Sequence, residues 1–388
     1  MTTMSSPKPQ ASLSTPSSPE ELTVVQSDSS RSAEPTRVSS AEPTPGCSAE
    51  PTPGSSRDMP EQPSSSGSSG RRINLYADEI RSQWNLFMIF STLGTHEQCI
   101  AFAEQQGLLP TSKMCTYHKQ PMKLTETTCH GQVGKFSCRK GKCRNKSYSR
   151  ALGTWFENSR LPLPLIFQLT YLFSANYTYE LARKETTHYR ETVVSQATIA
   201  DWYSYCREAI VVYHLENEDN LQKIGGPGKI VQVDESKFGR RKYNRGRNVE
   251  GHWVLGLIED GSDDLRLEVC PGNERNADVL VGLIKKHVQE GTTIHTDFWK
   301  GYDCLPEHGY IHKKVNHSDP VNKFVAPDGV HTQRIESHRR VMKRLYAKEN
   351  YKGNFTEWLI EVMWRRKIKI NHLDPFEEII KCIKYVYK

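Results

Sequence analysis

The 388-residue chain has no apolar run of the roughly 20 residues needed to cross a bilayer, so no membrane partner is expected. Its opening stretch, "MTTMSSPKPQASLSTPSSPEELTVV", lacks the apolar core of a secretory leader. Hydrophobic residues make up 36%, low for a globular chain, so part of the sequence is expected not to fold. Without an export signal, the ten cysteines are expected in a reducing compartment, where clustered cysteines point to metal rather than disulfides. The net charge of +7 suits a polyanionic partner, although basic composition alone is a weak signal.

What is present divides along the chain. Residues 1–72 are dominated by Ser, Pro, Thr, Glu and Gly and repeat "SAEPTR", "SAEPTP", "SAEPTP". They cannot bury enough apolar surface to offset ordering, and read as a disordered tail. Residues 73–112 show helical spacing broken at Gly94, and 113–150 are rich in cysteine. Residues 151–222 read as helices, with Ser195 as an N-cap and Ile199, Trp202, Tyr203 and Cys206 at helical spacing. They form either a DNA-reading helix-turn-helix or ordinary helix packing. "KIGGPGK" marks a boundary, and 228–375 form a further domain. There "KIVQVDES", "HWVLGLIE", "LRLEVC", "TTIHTDF" and "YIHKKVNH" read as strands. An amphipathic helix capped by Asn276 falls between the third and fourth, and helices follow the fifth. An antiparallel meander, a crossover helix and a strand parallel to the first predict an α/β, RNase H-like mixed sheet flanked by helices.

Between Cys115 and Cys143 lie six ligand-type side chains: Cys115, His118, Cys129, His130, Cys138 and Cys143. Cys115-x-x-His118 has metal-ligand spacing, and Cys138 with Cys143 makes a slightly wide second pair. Two knuckles joined by a hairpin predict a zinc ribbon, with structural Zn²⁺ supplying much of the module's folding free energy. Cys129 and His130 compete for the ligand set, and unbound thiols on a loop are the plain alternative.

Three acids stand where the sheet would gather them: Asp234 ending the first strand, Asp297 ending the fourth, and Glu336 at a helix start. Oxygen ligands brought together there would bind two Mg²⁺ or Mn²⁺ ions and clamp an in-line phosphoryl transfer. Each acid has another explanation, since Asp commonly begins turns and Glu favours a helix N-terminus. Glu235 should face the opposite side of the sheet, solvated or salt-bridged. Cations surround the acids: Arg240, Arg241, Lys242 and Arg245 behind the first strand, Lys300 after Asp297, and Arg339 and Arg340 on the Glu336 helix. They read as a DNA-backbone grip or as solvated charge. Trp299 could stack on a base or serve as core, and His317 and His331 lie near the acids by position.

The stretches "VQVDESKFGRRKYNRGR", "GHWVLGLIE", "IHTDFWKGYDCLPEHGYIHKKVNHS" and "VHTQRIESHRRVMKR" together resemble the Merlin superfamily of DDE transposases, with an ISXO-like (insertion sequence XO) transposase domain. The resemblance covers about residues 75–375. It implies an RNase H-like fold, divalent-metal dependence, and cut-and-paste DNA movement at terminal inverted repeats. Its acids fall on Asp234, Asp297 and Glu336, with 62 and 38 residues between them. It also implies a homo-oligomer acting on two DNA ends, and the DNA substrate implies the nucleus. His118, where such a ribbon often has Cys, and the long "CRKGKC" depart from the pattern. Two rival readings are a transposase-derived DNA-binding protein without catalysis and an RNase H-like nuclease acting on RNA or hybrids.

Overall fold

A computed structural model describes residues 80, 82–125, 133–143, 146–187, 193–218, 221–239, 251–349 and 353–387. The tail at 1–72 lies outside them, as do Cys129, His130, Arg240, Arg241, Lys242 and Arg245.

Helix α1 (Leu86–Leu93) ends at Gly94, and α2 (His96–Gln106) starts on a capping box in which Thr95 and Gln98 bond each other's backbone. Gly107, at φ 73°, stops α2 in the left-handed conformation that glycine adopts without strain. Three short antiparallel strands follow: β1 (Lys123–Thr125), β2 (Lys135–Ser137) and β3 (Ser147–Ser149). Next come α3 (Leu163–Ser174), α4 (Tyr179–Glu185) and α5 (Gln196–Glu216). Ser195 caps α5, accepting from the Thr198 amide at 3.0 Å.

Strands β4 (Ile224–Gly225), β5 (Ile230–Phe238), β6 (His252–Glu259) and β7 (Leu265–Val269) precede α6 (Ala277–His287), which Asn276 caps. Then come β8 (Val288–Gln289), β9 (Thr293–Asp297), β10 (Ile311–Val315), α7 (Gln333–Glu349), α8 (Phe355–Ile370) and α9 (Pro375–Val386). The main sheet has the order β10-β9-β5-β6-β7. The β5–β6–β7 meander is antiparallel, while β9 runs parallel to both β5 and β10. This mixed α/β arrangement has the strand order expected from sequence and is consistent with an RNase H-like sheet.

Strand alternation sorts β5 between two cores. Val231 and Val233 pack with Leu255, Leu257, Leu280 and Ile284 on the α6 side. Phe238 packs with Val254, Ile258, Ile335, Phe355 and Trp358 on the α7/α8 side. A third core joins helices from both ends of the described chain. Ile89, Leu93, Phe167, Leu172, Trp202 and Cys206 meet Ile360, Phe376, Ile379 and Ile383. Residues 72–388 accordingly form one compact unit, with α8 serving both the sheet and the helical core. Glu361 on α8 ties them further: Arg207 on α5 donates to it at 2.6 Å and Arg365 at 2.9 Å. Arg365 also donates to the Phe173 and Ser174 carbonyls that end α3.

Trp202 and Tyr203 are core residues of this helical region, and about ten residues separate α4 from α5.

Candidate metal and nucleic-acid site

The Cys/His cluster is the simpler of two candidate sites. Cys115 and His118 share a tight turn before β1, in which the His118 amide points to the Cys115 sulfur at 3.5 Å. Cys138 follows β2, and Cys143 closes a short 3₁₀ turn before β3. Around His118 Nδ1 the sulfurs of Cys143, Cys138 and Cys115 lie at 3.2, 3.4 and 3.6 Å, and Cys115 is 3.5 Å from Cys143. A zinc tetrahedron with ordinary bond lengths has edges of roughly 3.5–3.8 Å, so this donor set fits zinc in size and in chemistry.

Thiol electrostatics agree with that fit. The His118 amide leads in holding the Cys115 thiol down to about 6, whereas burial and the neighbouring sulfurs push Cys143 up to about 11. Cys115 and Cys143, this close, ionise together only beside a cation. Among the described residues, this is the only group of three or more Cys, His, Asp or Glu side chains whose ligand atoms all lie within 4.8 Å of one another.

The three acids are gathered by the main sheet. Gln232 pairs with His295 at the last position of the parallel β5–β9 register; Asp234 and Asp297 each lie two residues further on, and Asp297 is among the charges that act on Asp234. Glu336 arrives on α7, whose first turn is docked by a buried β5 side chain. Gln232 Oε1 accepts from the Arg334 amide at 3.0 Å and the Ile335 amide at 3.4 Å. Gly256, across the β5–β6 ladder from Asp234, leaves room for this helix. A Cβ there would sit 2.9 Å from Ile335 Cδ1. Thr332 donates to Glu336 Oε1 at 2.8 Å, and His317 Nε2 lies 3.3 Å from the same oxygen. His317 Nδ1 is 2.8 Å from the Lys323 carbonyl. His331 sits instead against Gln232, at 3.2 Å.

Asp234 is largely buried and forms an ion pair with Arg339, one turn along α7 from Glu336. Burial is the main cause that pushes its carboxyl up to about 7. Arg339 opposes the rise, while Glu235, Asp297 and Glu336 add to it. A carboxylate desolvated among like charges calls for a cation, and the oxygen donors suit a hard divalent ion. The three acids are nevertheless more open than the Cys/His set, since they do not close to within 4.8 Å.

Sequence reasoning assigned Arg339 to DNA, but its guanidinium is spent on Asp234 and on the Glu235 carbonyl, the latter at 3.3 Å. Arg340 and Lys300 are exposed. Glu235 does face away from Asp234, yet it is buried rather than solvated. Arg275 pairs with it and Tyr302 donates to it, so it links β5 to the turn after β9. Gln232, Glu235, Thr332 and Tyr302 were not singled out as bonding partners of the site. Their partners lie 40–104 residues away in sequence, or across a turn that shows no motif, and only Tyr302 carried a hint through its position just after Asp297.

No curated protein matches the chain. Residues 224–366, which hold all three acids, match the family model described as the ISXO2-like transposase domain, and this supports a DDE transposase domain over that stretch.

Proposed function

We propose that the chain is a DNA transposase of the Merlin superfamily that cleaves and joins DNA at terminal inverted repeats. The observation that carries this reading is that Asp234, which lies in the middle of β5 rather than at its end, and Asp297, at the end of the parallel β9, each sit two residues past the last pair joining those strands, with Glu336 brought in by a helix docked on Gln232. The match of residues 224–366 to a transposase domain supports it.

Asp234, Asp297 and Glu336 would hold two Mg²⁺ or Mn²⁺ ions. Bound there, the ions would lower the pKa of an attacking water or 3′-hydroxyl and neutralise charge on the leaving oxygen. In cleavage, water oxygen bonds to phosphorus as the P–O3′ bond breaks, leaving a 3′-hydroxyl and a 5′-phosphate. In transfer, that 3′-hydroxyl oxygen bonds to a target phosphorus as the target's own P–O3′ bond breaks, and the target strand is left with a free 3′-hydroxyl. The protein's part is placement. The middle of β5 fixes Asp234 and the end of β9 fixes Asp297, while Thr332 and His317 hold Glu336. With a metal held by Asp234, Arg339 would be released from its ion pair and could meet a phosphate. The Cys/His module, with zinc, would serve as a structural unit beside the DNA, with the exposed Lys300 and Arg340 contacting backbone. Action on chromosomal DNA places the chain in the nucleus, and pairing two transposon ends calls for a homo-oligomer.

The test is strand cleavage by the full chain with Mg²⁺ or Mn²⁺ on a duplex carrying the terminal repeats that flank its coding region. Metal-dependent nicking that Asp297→Asn abolishes is expected. Absent nicking, or equal nicking by the variant, would overturn the catalytic reading. A second reading, DNA binding without catalysis, draws on the Arg339–Asp234 ion pair, which neutralises the acid where a metal would. Tight repeat binding by a wild-type chain that never nicks would establish it.

A further inference from the structure

Strand β9 ends at Asp297 and is followed by two aromatic residues in opposite situations. Trp299 is fully engaged. The Arg275 guanidinium lies 4.3 Å from its ring centroid, and Tyr302 meets it edge-on at 5.4 Å. Gly301 lies against the same ring, where a Cβ would come within 2.0 Å of it. The Trp299 amide donates to Asp297 Oδ1 at 3.1 Å, and Tyr302, fully buried, is bonded to Glu235. The turn is therefore pinned at residues 297, 299 and 302.

Phe298, between these pins, is 59% exposed. Its one described neighbour of note is Lys314, whose ammonium lies 5.1 Å from the ring centroid and 2.5 Å from Asp303. Lys300, also exposed, is two residues further on. A phenylalanine held rigidly in water forgoes burial that would otherwise stabilise the fold. Placed next to an acid of the proposed cleavage site and flanked by two lysines, it has what a stacked base needs. The ring offers a flat π face, and the exposed Lys300 offers a cation for an adjoining phosphate, while Lys314 is paired with Asp303.

We infer that Phe298, rather than the Trp299 singled out by sequence, is a stacking platform for an unpaired base at the DNA end entering the Asp234–Asp297–Glu336 site. The inference rests on the transposase reading and adds the form of DNA the site takes: a frayed end rather than a continuous duplex. Because the turn is pinned on both sides, the platform exists before DNA arrives and ordering it costs little at binding.

The test uses the full chain and a terminal-repeat duplex with 2-aminopurine at an unpaired terminal position, with Ca²⁺ replacing Mg²⁺ so that binding is read without cleavage. Wild type should quench the probe. Phe298→Ala should lose most of the quench and on the order of tenfold in affinity for the frayed end relative to a fully paired duplex. Phe298→Trp should keep both. Equal quenching by Phe298→Ala, with its thermal transition matching wild type, would overturn the assignment. So would a loss of self-association by Phe298→Ala with the quench intact, because the ring would then meet a second copy of the chain. Wild-type cleavage in Mg²⁺ is measured in parallel. If wild type neither binds nor cleaves the repeat, the transposase reading falls and this inference with it. If wild type cleaves and the alanine variant keeps the same frayed-to-paired ratio, only this inference falls.

Discussion

The four ligand atoms of the Cys/His module lie within 4.8 Å of one another, whereas Asp234, Asp297 and Glu336 stay further apart and Asp234 is paired with an arginine. The first set comes from two local turns on adjoining short strands, so the backbone path alone brings the donors together. The second comes from β5, β9 and α7, elements that meet only when the whole sheet and its docked helix have formed. A closed set leaves no coordination position for a substrate and serves structure. An open set of carboxylates leaves room for phosphate oxygens and water, as chemistry requires.

The contrast can be broken most severely at the closed site. Structural zinc contributes on the order of 10 kcal/mol or more to small modules, so Cys143→Ser or a strong chelator should unfold residues around 113–150 while the main sheet persists. Metal content near one zinc per chain, together with loss of protease resistance confined to that segment, would bear this out. Unchanged resistance after complete metal removal would make the cluster a set of packed thiols.

At the open site the expected effect is on rate rather than folding. Asp297→Asn should lower metal-dependent cleavage by about 10³-fold or more, roughly 4 kcal/mol of barrier, while its thermal transition stays near that of wild type. Arg339 offers a smaller and more diagnostic effect. Its removal leaves a buried carboxylate without its counter-ion, so Arg339→Leu should cost the metal-free chain about 1–3 kcal/mol, less than a fully buried pair because the arginine is partly exposed. Mg²⁺ should restore that loss if the ion and the guanidinium compete for one carboxylate, and should not if they act separately.

The pH dependence of the metal-free chain sharpens the same point. Burial leads in pushing Asp234 from an ordinary 3.8 to about 7. Between those values the folded chain keeps a proton that the unfolded chain has released. The carboxyl's unfavourable contribution to stability therefore grows as pH rises through that window and is complete above about 7. From pH 5 to pH 8, metal-free wild type should lose stability relative to Asp234→Asn, by at most about 3 kcal/mol, in thermal or urea unfolding. A pH-independent difference would mean that Arg339 alone holds the acid charged.

Much of this could be read from the sequence because the relevant signals are local or periodic. Alternating β-branched residues and turn spacing gave the strands, the amphipathic α6 gave the crossover, and Asp297 ends β9 as expected; Asp234, expected to end the first strand, sits mid-strand instead, because β5 stays paired with β6 as far as Phe238. Cys115, His118, Cys138 and Cys143 stood out by spacing, and the structure brings those four together. What was not legible depends on side chains that meet over long separations. Nothing near Gln232 announces that its amide will cap a helix 102 residues later. Arg339 looked like any cation on a basic helix until α7 was set against β5. Phe298 and Trp299 are indistinguishable in the sequence, and Arg275 decides which of them is covered. The basic run behind Asp234 lies outside the described residues, so its role as a DNA grip rests on charge alone.

The helical core that takes in α1, α2 and α3 is completed by Ile379 and Ile383 of α9, nearly 300 residues further along the chain. During synthesis the early helices therefore wait for most of the protein to emerge, at about 5–20 residues per second, before their apolar faces can be covered. A message that stops after the transposase-domain match at residue 366 would encode every candidate metal ligand and still leave that core open. Such a product would expose the apolar faces of its early helices and be a ready client for chaperones and proteases.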